Sequence, residues 1–585
     1  MPKEVHYFEQ FLRSTEFCDA TIISSSGSEF KIHKLILAAS SQYFHVLFTA
    51  SSVDNLSEKY VFDDITTETL KDIIDWCYNI EISISSDNVI RLFTVADRLS
   101  ISGLCQQCVS IMIEFLSISN VIGIWNLAIE YNIMDLRKQC FDYIMVNFEQ
   151  IVLTSDEFEK LKKRQLFSLL VCDELNVHKE ECVFESILKW INYNKHKRIK
   201  DIAYLLKAVR LDLVKPDYFS RKIKLNPYII QCTTAIQHID SMEKFLSELD
   251  SIEIAEFERI SPETYSRLID LDGNFKKYRL PHEAILVSSG WSTGMPTRSL
   301  ELFNSKKNAW IDIVAPDQSA RAYHGTVYYK NSVYIIGGYD GIEHFNSCRM
   351  LKLETLEWCE LPPMHHKRCY VSTVVHDNFI YAIGGHSGHH RENTAERLNL
   401  LTSQWGTISP MNFQRSDAAC AVLNDLIYIC GGFTGVDCLA SVEYYCPKSN
   451  TWTLISSLQG PRSGLSAVSY NGCIYVLGGF NGNLRLNTVE QYDPKDGRWI
   501  FVSPMNTQRS NFACVTLQNR IVVIGGFNGS TTISEVEGYD ARKNEWRIMP
   551  RLNVCRSAAS ACVVEGCDII QKILKASNEN YVNSK

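Results

Sequence analysis

The chain has little of what nucleic-acid-binding, membrane or exported proteins require. Its 585 residues carry a net charge of -8. A clustered basic surface is therefore missing, and a nucleic-acid partner is not expected. The opening MPKEVHYFEQF has no apolar core, which argues against an export signal. Long hydrophobic runs are absent as well. The most apolar stretch, Phe115 to Ile129, is bounded by Glu114 and Glu130 and interrupted by Asn120 and Asn126. It is too short and too polar to cross a bilayer, so no membrane association is expected. The 20 cysteines are dispersed, and Cys105 and Cys108 form a lone CxxC with no second pair at zinc-finger spacing. They read as small buried apolar residues in a reducing, cytoplasmic setting. What remains is a globular composition, 45% hydrophobic and 22% charged, long enough for roughly three or four domains.

A repeat organises the second half. A Gly-Gly pair ends an apolar segment at Gly337-Gly338, Gly384-Gly385, Gly431-Gly432, Gly478-Gly479 and Gly525-Gly526, always 47 residues apart, with a degenerate copy, Ser289-Gly290, 48 residues earlier. Twenty residues after each second glycine stands a tryptophan: Trp310, Trp358, Trp405, Trp452, Trp499 and Trp546. An arginine follows 10 or 11 residues later: Arg321, Arg368, Arg415, Arg462, Arg509 and Arg556. Five copies place a glutamate 11 residues after the glycines (Glu301, Glu396, Glu443, Glu490, Glu537), and the second copy has Arg349 there.

Within a copy the pattern alternates with period two. In the fifth, Ser463 to Tyr470, Cys473 to Leu477, Thr488 to Tyr492 and Arg498 to Val502 predict four antiparallel strands, separated by Asn-Gly, Asp-Pro and Ser-Pro turn signals. Four strands per repeat form a blade, and six blades close radially into a propeller. The first copy lacks a preceding strand, whereas Ser557 to Val564 follows the last arginine. That C-terminal strand is expected to complete the first blade and leave no open edge. Each Trp is expected to fill the gap between blades.

The first half has few glycines and long apolar-periodic stretches. Phe17 to Ile22 and Phe30 to Phe44 read as strand, hairpin and helix; Leu70 to Tyr78 as a helix, Ile80 to Ile84 as a strand, and Asn88 to Asp97 as a helix. Leu136, Cys140, Tyr143, Ile144 and Phe148 recur at three- and four-residue steps, as on one apolar helical face.

These landmarks resemble known families. Asp19, His33, Lys34, Tyr43, Phe44 and Phe48 resemble the opening of a BTB (POZ) domain; Phe148, Phe158, Leu161, Asp173 to Val177, Glu180-Glu181, Phe184 and Trp190 resemble a BACK region; the glycine repeats resemble kelch repeats. The order is similar to that of the kelch-like family. It implies an α/β BTB domain (1–117), an all-α BACK domain (118–250), a linker (251–280), an all-β six-bladed kelch propeller (281–566) and a C-terminal tail (567–585).

The resemblance also implies a non-catalytic substrate adaptor of a cullin-3 RING ubiquitin ligase. The BTB domain would dimerise and bind cullin-3, and the propeller would capture a protein substrate. In the family a hydrophobic-x-Glu motif contacts cullin; its counterpart here is Val53-Asp54-Asn55, with Asn in place of the acid. Asp19 and Lys34 could form a charge pair near the dimer interface or one internal to the domain.

Blade geometry brings the second-to-third and fourth-to-first connections to one face. The first set opens with Trp291, Tyr339, His386, Phe433, Phe480 and Phe527, and the second with the six arginines. Rings and guanidiniums together suit an acidic or polar peptide, although a residue repeated in every blade can instead serve to build the blade. Loop residues that vary between copies are candidates to define the partner: Tyr323, Tyr370, His324, Asp340, His389, Arg391, Asp417, Arg485 and Asn511. An actin-binding kelch scaffold is the alternative function. An enzyme is not expected, because His324, His376, His386 and the His389-His390 pair show no recurring pairing and no carboxylate pair stands out. No cofactor or metal is expected.

Overall fold

The computed structural model describes residues 12–50, 59–249, 278–314 and 319–583. They divide into two compact units. The first holds the residues up to Asp240 apart from Cys172–His178 and Arg210–Leu213, which belong to the second unit with the C-terminal half.

The first unit begins with a three-stranded sheet in the order Glu29–Ile32, Ala20–Ile23, Lys59–Val61, the first pair antiparallel and the second parallel. Ile22 and Ile32 are wholly buried on its inner face. Helices Lys34–Ser40, Gln42–Ala50, Thr67–Cys77, Val89–Arg98 and Ser102–Glu114 complete the α/β module. Thr67–Cys77 shows why such segments are helical. Thr66 caps it by accepting from the Thr69 N–H, and Leu70, Ile73, Ile74 and Cys77 form the buried stripe. The segment Ile80 to Ile84, expected as a strand, is not one. It has no pairing partner among the described residues, and Glu81 and Ser83 are exposed.

The lone CxxC lies on helix Ser102–Glu114. Burial pushes the Cys105 and Cys108 thiols up to about 11 and 12, so both stay protonated. All-helical residues follow, including Val121–Glu130, Met134–Thr154 and Glu180–Tyr193. Leu136, Cys140, Ile144 and Phe148 are buried as the periodicity predicts. Trp190 donates its indole N–H to the Leu161 carbonyl at 2.8 Å, fastening the last of these helices to the turn that precedes helix Lys163–Leu170.

The second unit contains six four-stranded antiparallel sheets. Blade one joins the C-terminal strand Ser560–Glu565 to Glu283–Ser288, Leu300–Asn304 and Ala309–Ile313. Ser560 pairs with Ser288 and Glu565 with Glu283, so six residues of the chain's end are laddered to the start of the array. Blades two to six are continuous, with inner strands Gly325–Tyr329, Ser372–His376, Ala419–Leu423, Ser466–Tyr470 and Ala513–Leu517. Each inner strand packs on the next, and Ser560–Glu565 packs on both Ala513–Leu517 and Gly325–Tyr329. The ring is thus closed.

Aliphatic clusters fill the spaces between blades, for example Val476, Ile474 and Leu465 with Tyr428 and Cys430. Trp405, Trp452, Trp499 and Trp546 each donate an indole N–H to a carbonyl of the preceding blade's exit (Pro362, Ser409, Ser456, Ser503) at 2.7–2.9 Å. Trp310 does the same across the closure, to Pro550 at 2.9 Å. In the five later copies the first glycine of each pair takes a left-handed conformation in a confined space. Gly337 sits at φ +63, and a Cβ there would lie 2.2 Å from the Arg368 carbonyl oxygen. Ser289, which replaces that glycine in copy one, takes the same left-handed conformation at φ 53.

The residues after the last strand, expected as a tail, form helix Cys567–Asn583. Ile569, Ile570, Ile573 and Leu574 are buried against Ala284, Leu286, Val333, Leu351 and Leu356. The helix therefore seals the apolar seam between blades one and two.

Candidate functional site

The repeated arginines are not the capture surface. All six have side chains 0–5% exposed. Arg368, Arg415, Arg462 and Arg509 pair with Glu396, Glu443, Glu490 and Glu537 at 2.5–3.0 Å, and Arg556 pairs with Glu301 across the ring closure. Each also donates to two strand-end carbonyls; Arg415 reaches Gly431 at 2.6 Å and Ser441 at 2.9 Å. The carboxylates accept further backbone N–H groups, as Glu443 does from Asn412 at 3.0 Å. These are knots that tie the blade-to-blade connection to the third strand of the next blade. Buried in this way, the guanidiniums offer no exposed donor, although Nε of Arg462, Arg509 and Arg556 has no hydrogen-bond partner among the described residues.

Arg321 is the informative exception. Arg349 occupies the glutamate position, so Arg321 has no carboxylate and relies on Gly337, Ser347 and the Phe345 ring, 4.4 Å away. Burial, with Arg349's charge beside it, lowers its pKa to about 10.

The mouth of the ring is drawn by a closed circle of six backbone hydrogen bonds. Tyr370 donates to Tyr323, Asp417 to Tyr370, Gly464 to Asp417, Asn511 to Gly464, Ala558 to Asn511 and Tyr323 to Ala558, at 2.7–3.1 Å. All six residues are left-handed, with φ between 49 and 58. Above this circle lies a cavity of about 510 Å³ over blades three to five. Tyr323, Tyr370, Phe433 and Phe480 line it, as do Arg391, Arg485, Asp417 and Asn511.

Arg391 and Arg485 differ from the repeated arginines in lining this cavity. Arg391 Nη1 and Arg485 Nε are buried and have no hydrogen-bond partner among the described residues. Aromatic faces hold both guanidiniums. Arg391 lies 5.7 Å from the Tyr370 ring and 5.6 Å from Phe433; Arg485 lies 4.0 Å from Phe480 and 5.3 Å from Phe527. Asp417 is half-buried, accepts from Ser416 at 2.8 Å, and is raised to about 6 by desolvation.

The remaining expected rings are half-buried around the same face. Trp291 packs on Tyr323 at 6.5 Å, and Tyr339 and His386 flank His344 at 4.8 and 5.2 Å. His324 is instead a core residue. It is 5% exposed, bonded to Ser288 at 2.9 Å, and depressed by burial to about 3. The pairing of arginine with glutamate was missed in the sequence, although both recur with the same period and the one copy lacking glutamate was visible. A cluster of His344, Cys369 and His386 was also missed, because its members come from three separated segments.

On the N-terminal side, Val53, Asp54 and Asn55 lie outside the described residues. Asp19 and Lys34 do not form an ion pair. Asp19 Oδ1 accepts from the backbone N–H of Lys34 at 2.7 Å, at the start of helix Lys34–Ser40, and the ammonium lies 6.0 Å from the Tyr60 ring.

A closed kelch-type ring preceded by an α/β module and a helical segment defines a modular binding protein with no helix, among the described residues, long and apolar enough to cross a membrane. Comparison with known families agrees. Residues 8–116 match the BTB/POZ domain, 121–224 the BACK (BTB And C-terminal Kelch) domain, and 280–461 with 414–570 the KLHDC2/KLHL20/DRC7 Kelch-repeats domain. The chain is a BTB, BACK and kelch-repeat protein. It is similar to Kelch-like protein 3 of Homo sapiens, 30% identical over 332 residues, covering 56% of this chain and 54% of that one. To Kelch-like protein 3 of Mus musculus it is 30% identical over 325 residues, covering 55% and 52%. To Kelch-like protein 6 of Homo sapiens it is 28% identical over 396 residues, covering 60% and 63%. The chain thus spans about half the length of the Kelch-like protein 3 relatives it matches, and the domain order with these relatives supports the kelch-like family.

Proposed function

We propose that this protein is a cytoplasmic, non-catalytic substrate adaptor of a cullin-3 RING ubiquitin ligase, whose propeller mouth captures an acidic segment of its client. The observation that carries the reading is the pair Arg391 and Arg485. Two aromatic-backed guanidiniums line one cavity of about 510 Å³. A carboxylate-bearing peptide with a flat apolar side chain satisfies both the donors and the rings.

The adaptor acts by proximity, raising the local concentration of an acceptor lysine near a ubiquitin-charged partner. Homodimerisation through the BTB domain is supported by Phe17 and Leu35, each 80% exposed on the N-terminal module. Within the family, RAYHG (321–325), KRCYVS (367–372), QRSDA (414–418), PRSG (461–464) and QRSNF (508–512) resemble kelch-like protein ten, which implies a role in male germ cells.

Full-length protein is expected to capture client and cullin-3 together from lysate. Arg391→Ala with Arg485→Ala is expected to weaken client capture by at least about 100-fold, from two lost charge-assisted contacts of roughly 1.5–3 kcal/mol each, while cullin-3 recovery and the melting temperature stay unchanged. Equal client recovery by the double variant refutes the assignment of the mouth.

Asp417 adds a pH signature. Above about 6 its carboxylate offsets Arg391 and repels an acidic ligand; below that it is neutral. A glutamate-rich peptide selected on the propeller is therefore expected to bind more tightly at pH 5.5 than at 7.5, by anisotropy, and Asp417→Asn is expected to flatten the profile. The fold follows the same sign. A raised carboxyl contributes stability fully present below the ordinary aspartate value near ~3.9, and that contribution is lost as pH rises through about 6.

A further inference from the structure

His344, Cys369 and His386 each bring one ligand atom to a common point, all within 4.8 Å of one another. His344 comes from the second-to-third loop of blade two, Cys369 from the connection into blade three, and His386 from the residue after that blade's glycine pair. The frame is held by backbone. Cys369 and His386 exchange both N–H···O bonds, at 3.0 and 2.8 Å, and His344 is bridged to Tyr339. Gly388, at φ +102, lets the chain pass close to the His344 ring; a Cβ there would lie 3.2 Å from Nδ1. Neither imidazole nor the thiol makes a side-chain hydrogen bond to any described residue, although Cys369 is wholly buried.

Three convergent, otherwise unsatisfied donors of this kind are unusual in a packed rim. We propose that His344, Cys369 and His386 form a three-ligand zinc site at the propeller mouth, with water in the fourth position. Zinc takes imidazole nitrogen at about 2.0 Å and thiolate at about 2.3 Å. A tetrahedron of those bonds sets its ligands roughly 3.5 Å apart, which small rotations of the two half-buried rings reach. The donor set, two imidazoles and a thiolate, selects a borderline-soft cation over magnesium or calcium.

The charge balance is explicit. Zn²⁺ replaces the proton of Cys369, which is released to solvent, so the bound cluster carries a net charge of about +1. Lys367, Arg391 and His389 oppose binding, whereas Asp340 and Glu392, beside the imidazoles, and Asp417, on the Cys369 side, favour it. The ion would tie blade two to blade three and fix Tyr370, next to Cys369, and Arg391, whose backbone bridges His386. Metal and client sites would then be coupled, but the metal site stands whether or not the client reading holds.

The test uses the metal-free full-length chain in a non-thiol reductant, titrated with Co²⁺ and then Zn²⁺. One cobalt per chain is expected, with a thiolate-to-cobalt charge-transfer band that zinc bleaches. Cys369→Ser is expected to lose the band, and His344→Ala and His386→Ala to lose that equivalent with more than about 100-fold weaker zinc binding, since even ligand-orienting residues account for 10–100-fold. Cys438→Ser, at the mouth but outside the cluster, keeps it. The two histidine variants decide the matter if loss of the buried thiol prevents folding. Absence of the band in the wild type, or an unchanged band and stoichiometry in both histidine variants, overturns the site.

Discussion

A chain ending at Arg556 is expected to lose cooperative unfolding of its entire C-terminal half and to become protease-sensitive from blade one outward. The truncation removes Ser560–Glu565, the strand that pairs residue for residue with Glu283–Ser288. Blade one is left with three strands and an unpaired edge, and the gap exposes the inner strands of blades two and six, which pack on the lost strand. It also removes helix Cys567–Asn583, whose Ile569, Ile570, Ile573 and Leu574 are buried in the same seam. A chain ending at Gly566 separates the two contributions. It keeps the strand and loses the helix, at a cost on the order of 2 kcal/mol for each of the four buried aliphatic side chains removed. Limited proteolysis and calorimetry are expected to show a closed but less stable ring in the second variant. A cooperative transition of unchanged enthalpy in the shorter chain would show that closure by the terminal strand is not what stabilises the ring.

Removing one member of a buried knot is expected to be nearly as damaging as a large cavity. Glu443→Ala leaves Arg415 charged, wholly buried and without its carboxylate, and strands the Asn412 N–H that Glu443 accepts at 3.0 Å. Breaking such a pair costs about 3–5 kcal/mol, or a fall in melting temperature on the order of 10 °C for a unit of this size. The converse substitution is already posed by the chain. Arg349 occupies the glutamate position of blade two, and its charge helps depress Arg321. Arg349→Glu is expected to raise the melting temperature by a few degrees, by supplying the missing partner and removing a like charge, at the expense of the half-exposed bond from Arg349 to Glu360 at 2.5 Å. No gain in that variant, with a large loss in Glu443→Ala, would mean blade two has found an equally good substitute in Ser347 and Phe345.

The architecture was legible because its signals are periodic. A glycine pair at a fixed interval, a tryptophan and alternating apolar residues each report the same four-stranded unit, and the missing first strand of copy one pointed to the far end of the chain. What single positions do was much less legible. Repetition identifies arginine as important in every blade but is silent on whether its guanidinium faces solvent or a buried glutamate; only the joint periodicity of Arg415 and Glu443, 28 residues apart, could have decided it. Arg391 and Arg485 stand at one position of the repeat, 94 residues apart, where other copies have His344, Cys438 and Thr532, so the position varies between blades as the knot positions do not. Asp19 was paired with the wrong group because proximity in a family pattern does not say whether a carboxylate meets a side chain or a helix's first N–H. The C-terminal helix went unread although Ile569, Ile570, Ile573 and Leu574 sit at helical spacing, because the strand before it seemed to finish the fold.

The circle at the mouth runs in one rotational sense, each amide facing the carbonyl behind it, so its six N–H groups are spent on one another. A ligand entering the channel finds no free N–H on that part of the main chain. Donors that meet a ligand there come from side chains, so loop residues can differ between blades while the framework beneath them keeps its shape.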